Sequence, residues 1–403
     1  MINVAVFGYG TVGSGVVEVI NDNAELISKR VGEEVKVKYI LDLRDFPGDK
    51  YESLVTHDVE DILGDSEVSI ICETMGGTKV PYEYTKRALE AGKSVCTSNK
   101  EMVAAYGAEL IALAEKNNCN YLFEASVGGG IPIIRPINEC LTAEKIDCIQ
   151  GILNGTTNYM LTKMENEGAA YDDVLKEAQD KGYAERNPEA DVEGFDACRK
   201  IAILSSLMYG QTVNYEDIYT EGITKITPAD FEYAKALGKT IKLIAMSKET
   251  ADGKFAMVSP RMIGSESPLS AVKDVFNAIF VHSNMLDDSM YYGRGAGKLA
   301  TASAVVGDVI EVAKNPGKHL PILWSANKAT VSDKDALAQK YFVRMQGSVD
   351  ACKKSVEDAF GAVEYVCLEN CTSEFGFVTA VMPEKDYKAK AEKFENIIGM
   401  IRI

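Results

Sequence analysis

An aspartate and a lysine that could move a proton lie four positions apart in AQDKGYAERNPEADVEGFDACRK, residues 178–200. On a helix, Asp196 and Lys200 would share one face and form an ion pair. A lysine that a carboxylate orients in a partly dry cleft exchanges a proton with an alcohol or carbonyl oxygen once its pKa falls toward neutrality. The same spacing also describes an ordinary surface pair of little energetic weight. The bare pattern leaves both readings open.

A second lysine, Lys100, stands where a predicted strand ends. It follows the short apolar strand SVCT, residues 94–97, whose carboxyl end should open into a cofactor crevice. Thr97 and Ser98 precede the lysine and could hydrogen-bond a ligand in that crevice. A plain surface lysine is the alternative reading of Lys100.

A glycine motif, Gly8-x-Gly10-x-x-Gly13, lies between an apolar strand and an amphipathic helix. Gly8 permits the tight turn, Gly10 lets the backbone approach a pyrophosphate, and Gly13 allows the helix to pack closely on the strand. The helix N-terminus supplies free N–H groups and a positive dipole end for phosphates. This context predicts dinucleotide binding rather than a simple turn. The predicted contacts are Gly8, Gly10, Thr11, Val12 and Gly13.

Two charged residues at the end of the second strand bear on the choice of cofactor. Asp42 would accept hydrogen bonds from the ribose hydroxyls of NAD, whereas Arg44 could hold the 2′-phosphate of NADP. Either residue could also be an ordinary solvated loop charge. The sequence therefore predicts NAD or NADP without choosing between them.

Residues 178–200 also resemble the signature of the homoserine dehydrogenase family. The matching residues are Ala178, Gly182, Tyr183, Ala184, Asn187, Pro188, Asp191, Val192, Gly194, Asp196 and Lys200. The likeness extends through GYGTVGSG, TSNKEMVA, FEASVGGGIPII, GILNGTTNYML and GRGAGKLAT, and it covers residues 1–314. It implies reversible NAD(P)-dependent hydride transfer between L-aspartate 4-semialdehyde and L-homoserine, in threonine, methionine and isoleucine biosynthesis.

The resemblance implies a role for each matching site residue. Lys200 would donate and accept the proton, Asp196 would support it, and Lys100 would lie between nicotinamide and substrate. Glu185 would hold the amino group of the substrate. The implied substrate-binding residues are Gly155, Thr156, Tyr183, Glu185 and Asp191.

A cation site is implied by the resemblance at the glycine-rich segment FEASVGGGIPII. Homoserine dehydrogenases hold a monovalent, sodium-like cation there, largely through backbone oxygens. The matching positions are Glu124, Val127, Gly129 and Ile131. Backbone carbonyls suit a hard cation, although the segment has no cluster of carboxylates and would also serve as a plain hinge. We expect such a cation to be structural rather than chemical.

Strands and helices alternate at the start of the chain. The predicted strands are 2–7, 35–41, 67–73, 94–97 and 120–125, and the predicted helices include 82–91 and 102–116. This alternation predicts an α/β fold with a Rossmann-type doubly wound parallel sheet. We place the dinucleotide-binding domain at 1–135, completed by 297–320, where Gly297 opens a long small-residue helix and contributes to the cofactor site.

The rest of the chain predicts two more domains. Residues 136–296 should form a second α/β domain for catalysis and dimerisation, and 315–334 resembles a linker. The strands YFVRMQ, VEYVCLE, EFGFVTAVM and IGMIRI, with a helix at 349–360, give the ferredoxin-like order βαββαβ over 338–403.

This C-terminal module resembles an ACT domain, a small-molecule sensor often fused to enzymes of amino-acid biosynthesis. Its first turn, RMQGSVDACKK, departs from the Asp-x-Pro-Gly turn with which such modules bind an amino acid. An amino-acid effector such as threonine and a purely structural or dimer-forming role therefore both stay open. A homodimer or homotetramer is expected by resemblance alone.

Charge and composition exclude several classes of protein. With 60 acidic and 43 basic side chains the formal charge is −17, which opposes binding to nucleic acid or to anionic membranes. The first residues lack the pattern of a signal peptide, and no stretch has the apolar length of a membrane span. The nine scattered cysteines fit a reducing cytoplasm, and three histidines give little material for a zinc site or a Ser-His relay.

Two other functions share part of this pattern. Aspartate-semialdehyde dehydrogenase uses the same substrate and a Rossmann domain, but it needs a nucleophilic cysteine, and no cysteine here has a glycine-rich, histidine-supported setting. A non-catalytic sensor of nucleotide and amino acid would have no need of Glu185, Asp196 and Lys200. The three residues together favour an enzyme with a small-molecule substrate.

Overall fold

The computed structural model describes residues 1–369 and 371–403. Its strands are β1 Ile2–Phe7, β2 Val35–Leu41, β3 Val55–Thr56, β4 Val68–Glu73, β5 Ser94–Thr97, β6 Tyr121–Leu122, β7 Ile146–Ile152, β8 Gln211–Thr212, β9 Tyr219–Thr220, β10 Lys239–Thr250, β11 Gly253–Gly264, β12 Phe276–Ser283, β13 Asp287–Arg294, β14 Ser325–Lys328, β15 Ala338–Gln339, β16 Tyr341–Gln346, β17 Glu364–Val366, β18 Glu374–Val378, β19 Met382–Pro383 and β20 Ile397–Arg402. Its α-helices are α1 Thr11–Asp22, α2 Ala24–Val31, α3 Glu60–Leu63, α4 Lys79–Glu90, α5 Lys100–Lys116, α6 Gly155–Glu167, α7 Tyr171–Asp180, α8 Glu189–Val192, α9 Phe195–Tyr209, α10 Pro228–Ala236, α11 Lys298–Lys314, α12 Val349–Phe360 and α13 Glu384–Ala391.

The chain divides into two units. Unit 1 contains residues 1–144, 202–215 and 291–329, and unit 2 contains residues 145–201, 216–290 and 330–403. These units do not follow the three predicted domains, because the ACT-like module groups with unit 2. The three-domain division stays a prediction about which parts fold independently.

Unit 1 is built on a six-stranded sheet in the order β3-β2-β1-β4-β5-β6, with every pair parallel. Strands buried on both faces need apolar residues at successive positions, and Val4 to Phe7 are fully buried. Helix α11 packs on α1, where a Cβ at Gly15 would lie 3.0 Å from the Ala302 Cβ. The predicted doubly wound sheet and the packing of its small-residue helix are confirmed.

Several element boundaries differ from the prediction because of non-local or capping contacts. The strand predicted at 120–125 ends at Leu122, and a 3-10 turn covers Glu124–Ser126. Helix α5 begins at Lys100, since the Asn99 side chain accepts a hydrogen bond from the Met102 N–H and caps the helix. Helix α4 begins at residue 79 rather than 82.

The predicted linker, 315–334, is in part an integral segment of unit 1. Trp324 is buried there, and a Cβ at Gly107 would lie 2.8 Å from its ring. Its indole Nε1 donates to the Thr212 Oγ1 at 3.0 Å, and β14 pairs with β8. The expectation of a linker was wrong for residues 315–329, because one aromatic side chain anchors the segment in the core.

The other large sheet has ten strands in the order β13-β12-β7-β10-β11-β20-β16-β18-β17, with β9 beside β11. Its last four strands, together with α12 and α13, form the ferredoxin-like module predicted for the C-terminus. Val356 and Phe360 of α12 are buried in one cluster with Phe377 and Tyr387. Strand β20 also pairs with β11, Arg402 opposite Arg261, so the module continues the sheet of the preceding residues.

Candidate active site

The turn between β1 and α1 has the backbone geometry of a phosphate site. Gly8 has a φ of +87°, and a Cβ at Gly13 would lie 1.8 Å from the Gly8 oxygen, so only glycine fits there. A Cβ built at Gly10 would face open space, with no atom from other parts of the chain within 4 Å. Thr11 and Val12 open α1, whose first N–H groups have no helical partner.

The predicted ribose-binding residues form an ion pair beside this turn. The Asp42 carboxylate accepts a hydrogen bond from the Tyr9 N–H at 2.8 Å, and the Arg44 Nε and Nη2 donate to it at 2.9 Å each. The Arg44 guanidinium holds the pKa of Asp42 well below its usual range. The Asp42 side chain is 9% exposed and that of Arg44 is 63% exposed, so the arginine presents the accessible charge.

Residues at the carboxyl ends of β4 and β5 form a second part of the same sheet edge. The buried Thr97 Oγ1 donates to the Glu73 Oε2 at 2.5 Å, and the Ser98 N–H donates to the Glu73 carbonyl oxygen at 3.2 Å. Lys100 is partly buried and opens α5 directly after the capping residue Asn99. Burial raises the pKa of Glu73 to about 7.

Glu73 was missed by the sequence reasoning. The available signal was a carboxylate at the end of an otherwise apolar strand, VSIICE. Buried parallel strands rarely carry an unpaired acid, so its position pointed to a hydrogen-bonding role.

The predicted cation loop is bent and largely buried. Glu124, Val127 and Ile131 are buried, and Gly129 has a φ of +56° with a Cβ position 2.3 Å from the Gly295 oxygen. Gly297 lies just beyond and is the N-cap of α11. Within residues 1–369 and 371–403, no group of three or more His, Cys, Asp or Glu side chains could hold a metal ion.

The Glu124 side chain acts as an anchor for the segment that follows the loop. Its carboxylate accepts hydrogen bonds from the backbone N–H groups of Ile133 at 2.6 Å, Ile134 at 2.9 Å and Arg135 at 2.7 Å. Its own N–H donates to the Asp308 Oδ2 at 2.9 Å, and burial raises the pKa of Asp308. This anchoring was not visible in the sequence, because Asp308 is far away along the chain.

The predicted acid–base pair forms a buried network in unit 2. On α9 the Lys200 Nζ donates to the Asp196 Oδ2 at 2.7 Å and to the Leu153 carbonyl oxygen at 2.8 Å. The Asn154 Nδ2 donates to the Asp191 Oδ1 at 2.7 Å and to the Asp196 Oδ2 at 2.9 Å. Lys200 and Asp196 are 9% and 6% exposed, which excludes the reading as a surface pair. Burial raises the pKa of Asp191.

Asn154 was also missed by the sequence reasoning. Its side-chain oxygen accepts a hydrogen bond from the Thr157 N–H and caps α6, while its amide nitrogen bridges the two aspartates. An asparagine between a strand and the helix NGTTNYML is a recognisable N-cap. Its hydrogen bonds to Asp191 and Asp196, which follow it by 37 and 42 positions, were not predictable from that pattern.

The remaining predicted substrate residues surround this network unevenly. The Thr156 Oγ1 donates to the Tyr183 carbonyl oxygen at 2.6 Å, and a Cβ at Gly155 would lie 2.8 Å from the Val275 oxygen. The Tyr183 side chain is 44% exposed. Glu185 is exposed as well, so the structure unites Asp191, Asp196 and Lys200 but does not bring the Glu185 side chain into the network.

Family models and known proteins match most or all of this chain. Residues 8–124 match the family model described as "Homoserine dehydrogenase, NAD binding domain", and residues 132–310 match the model "Homoserine dehydrogenase". The homoserine dehydrogenase of Neisseria gonorrhoeae is 37% identical over 427 residues, with 100% of this chain and 98% of that protein covered. The homoserine dehydrogenase of Bacillus subtilis is 42% identical, covering 78% of this chain and 73% of the relative.

Solved structures give the same result. The crystal structure of a homoserine dehydrogenase from Thiobacillus denitrificans superposes with a TM-score of 0.90 at 34% identity, covering 100% of this chain and 97% of that one. A hyperthermophilic archaeal homoserine dehydrogenase mutant in complex with NADPH has a TM-score of 0.67 at 30% identity, covering 78% of this chain and 98% of that one. No helix in the described part of the chain is long and apolar enough to cross a membrane.

The family inferred from residues 178–200 is thus confirmed over both units. The alternatives of an aspartate-semialdehyde dehydrogenase and a non-catalytic sensor are set aside by these matches. The chain belongs to the homoserine dehydrogenase family and is an oxidoreductase that interconverts L-aspartate 4-semialdehyde and L-homoserine with a nicotinamide cofactor.

Proposed function

We propose that Lys200 is the group that gives the proton to, and takes it from, the substrate oxygen. The observation that carries this proposal is the position of its Nζ, which donates to the Asp196 Oδ2 at 2.7 Å and to the Leu153 oxygen at 2.8 Å within a buried network. Two of the three N–H groups of the ammonium are thereby held in hydrogen bonds, and the third donates a hydrogen bond to the substrate oxygen. Asp196 is the positioning residue, because it fixes the side-chain direction of Lys200.

The reaction needs a hydride on the carbonyl carbon and a proton on the carbonyl oxygen. Bound nicotinamide supplies or removes the hydride. In the reductive direction Lys200 gives its proton to the developing alkoxide and is later reprotonated from solvent; in the oxidative direction it takes the hydroxyl proton. Lys100, on the cofactor-binding unit, is the second candidate for proton transfer or for electrostatic stabilisation of the developing alkoxide.

The substrate's ammonium group requires a carboxylate. Asp191 shares the Asn154 amide with Asp196, the partner of Lys200, whereas Glu185 lies exposed on the preceding loop. In this proposal both carboxylates bind the ammonium, and Glu185 turns inward when substrate arrives. Gly155, Thr156 and Tyr183 complete the pocket.

The cofactor site is assigned to the β1–α1 turn and the adjoining sheet edge. The open space at Gly10 and the close approach at Gly13 fit a pyrophosphate on the α1 N-terminus. We propose NADP in preference to NAD, because the Arg44 side chain is 63% exposed and would pair with a 2′-phosphate by exchanging its hydrogen bonds to Asp42 for bonds to the phosphate. The other proposed contacts are Thr11, Val12, Thr97, Ser98, Lys100 and Gly297.

A monovalent cation is proposed at Glu124, Val127, Gly129 and Ile131, held by backbone oxygens. The left-handed turn at Gly129 supports it, since such a bend lets successive carbonyls converge. Its role would be structural. Activity and thermal stability in sodium, potassium and tetramethylammonium salts test this assignment, which predicts lower stability in the bulky cation.

The C-terminal module is proposed to bind an amino-acid effector and to take part in a homo-oligomer. The Arg402 guanidinium is buried and donates to both Glu384 carboxylate oxygens at 2.9 Å and to the Glu221 Oε2 at 2.5 Å. Through these bonds, a change in the position of Arg402 on effector binding would also displace Glu221, outside the module. We propose the domains 1–135 with 297–320, 136–296 and 338–403.

A cytoplasmic location is proposed as well. All nine cysteines are free thiols, as expected of a reducing compartment. Fractionation of the source cells would test this point.

The deciding experiment follows the absorbance of NADPH and of NADH with purified protein and aspartate semialdehyde, with homoserine identified as the product. We expect both cofactors to be oxidised, NADPH at the lower KM. Added threonine tests the effector, and the mass in solution tests the oligomer. Absence of oxidation of both cofactors in every salt would contradict the proposed roles.

A further inference from the structure

A buried carboxylate joins the loops at the cofactor edge of unit 1. Glu73 is fully buried at the end of β4, the strand that lies between β1 and β5. Its two oxygens accept hydrogen bonds from two different loops, one from the Met75 N–H at 2.7 Å and one from the Thr97 Oγ1 at 2.5 Å. The side chain therefore ties the loop after β4 to the loop after β5.

On the β5 side, further hydrogen bonds connect Thr97 to the start of α5. The Thr97 Oγ1 accepts from the Asn99 N–H at 2.9 Å while it donates to Glu73. The Asn99 Nδ2 donates to the Gly77 oxygen at 2.6 Å, in the loop that follows β4. The Asn99 Oδ1 caps α5, whose first residue is Lys100. The direction of Lys100 thus depends on a ring of bonds that closes through Glu73.

On the other side, the loop after β4 contacts the phosphate turn. The Thr74 Oγ1 donates to the Gly8 oxygen at 2.8 Å, and its N–H donates to the Phe7 oxygen at 2.9 Å. A Cβ at Gly8 would lie 3.0 Å from the Met75 Cγ. Movement of residues 74–75 would therefore displace the turn that is proposed to hold the pyrophosphate.

We propose that Glu73 is the positioning residue that sets the spacing between the phosphate turn and the Ser98–Lys100 segment, and so aligns the two ends of the dinucleotide. The inference rests on the proposed cofactor site. Glu73 touches neither substrate nor cofactor in this role. It acts by supplying two acceptors at once, which only an ionised carboxylate of this length does.

The ionisation state of Glu73 affects this bridge. Burial raises its pKa to about 7, so protonation near neutral pH would turn one acceptor oxygen into a donor. The bond between Thr97 and Glu73 could then persist only by reversing, which would leave the buried Thr97 hydroxyl proton without the acceptor that Glu73 supplies, so the bridge would weaken. Tyr121 on β6 is another titratable group near Glu73, and burial raises its pKa far above its ordinary value, so it stays neutral between pH 6 and 8.

The test compares Glu73→Gln with the wild type by titrating binding of NADH and NADPH and by measuring kcat and both KM values. Glutamine has one acceptor oxygen in place of two, so either the Met75 N–H or the Thr97 hydroxyl proton loses the acceptor that Glu73 supplies. We expect the Kd of both cofactors to rise by about tenfold and kcat to fall, with little change in the KM of the amino-acid substrate. Thr97→Val removes the same bridge from its other end, and Glu73→Asp keeps the charge but shortens the side chain. Both should give the same pattern, and Glu73→Asp leaves the proposed cofactor contact of Thr97 in place, which keeps the test valid if Glu73→Gln does not fold.

Asn120→Ala is the matched control. Asn120 is also a buried, doubly bonded polar side chain of unit 1, bonded to the Lys318 oxygen at 2.9 Å and the Leu320 N–H at 2.7 Å, but it lies at the amino-terminal edge of the sheet. Its loss should lower the melting temperature without raising the cofactor Kd. A merely structural role for Glu73 predicts the same behaviour for both variants.

A pH series supplies the sharper readout. Wild-type affinity for NADH, which has no titrating 2′-phosphate, should fall from pH 8 to pH 6, whereas Glu73→Gln should have a weak, constant affinity. Unchanged cofactor affinity in both Glu73→Gln and Thr97→Val, or an identical pH dependence in variant and wild type, would overturn the proposal. If wild-type protein bound no dinucleotide at all, the proposed cofactor site itself would fail, and the two failures are thereby distinguished.

Discussion

Two ion pairs of similar length differ in almost every other respect. The Lys200–Asp196 pair measures 2.7 Å and the Arg44–Asp42 pair measures 2.9 Å. The Lys200 side chain is 11% exposed and is held by Asp196 on α9 and by the segment between β7 and α6, whereas the Arg44 side chain is 63% exposed and bonds mainly to Asp42 in its own loop.

The difference shows that burial and cross-bonding, rather than distance, determine what an ion pair does. A buried pair that loses one partner leaves an uncompensated charge, which costs about 3–5 kcal/mol, whereas exposed pairs contribute roughly 0.2–1 kcal/mol. The rigid pair suits a proton transfer that needs one geometry. The exposed pair suits a contact that must open when a phosphate group arrives.

The largest expected effect is that of Lys200→Met. Removal of the proposed acid–base group should lower kcat by about 10²–10⁴-fold while cofactor affinity changes little. Steady-state rates and NADPH titration measure the two quantities separately. Lys163→Met, which removes a surface lysine of α6 paired with Glu167, serves as the control and should keep the wild-type kcat. A Lys200→Met enzyme within a few-fold of wild-type turnover would remove Lys200 from its role.

Asn154→Ala should have the next largest effect, because it removes the bridge between two carboxylates. The Asn154 N–H groups lower the pKa of Asp191, which burial raises, so their loss should raise that pKa further. In the pH profile of kcat/KM for homoserine, the acid limb should then move to higher pH, and kcat should fall by about tenfold. A limb that stays in place, or that moves to lower pH, would show that Asp191 is not the titrating group.

Arg44→Ala should have a smaller and more selective effect. Loss of the proposed 2′-phosphate contact should raise the KM for NADPH by about tenfold and leave that for NADH nearly unchanged. Arg30→Ala is the matched control, because it removes one positive charge at an exposed position of α2. The measured quantity is the ratio of kcat/KM for the two cofactors. An unaltered ratio would assign cofactor choice to other residues.

The smallest effect is that of salt. Raising ionic strength from about 0.05 M to about 0.5 M shortens the Debye length severalfold and screens exposed charges far more than buried ones. The wild-type KM for NADPH should rise a few-fold, and kcat should stay constant. Arg44→Ala should lose most of this dependence. A kcat that responds to salt as strongly as the KM would erase the contrast between the two pairs.

Local patterns were sufficient for much of the fold and part of the site. The apolar strand before GYGTVGSG predicted the β1–α1 turn, and the four-residue spacing of Asp196 and Lys200 predicted their ion pair, which is confirmed. Helix α12 was predicted at its observed bounds, because its apolar stripe and the capping Ser348 are both local. The missed strand end at Leu122 and the buried Trp324 depend on partners distant in sequence.

By itself the sequence determined the family, the parallel sheet of unit 1 and the acid–base pair, because hydrophobic periodicity, glycine spacing and a helical repeat are properties of neighbouring residues. Only the tertiary structure decided that Asn154 bridges two aspartates, that Glu73 joins two loops, and that Arg402 links the C-terminal module to Glu221. Each of these contacts joins residues on different elements. Their formation depends on which strand ends and helix starts the fold brings together, and a buried polar group must find its partner there.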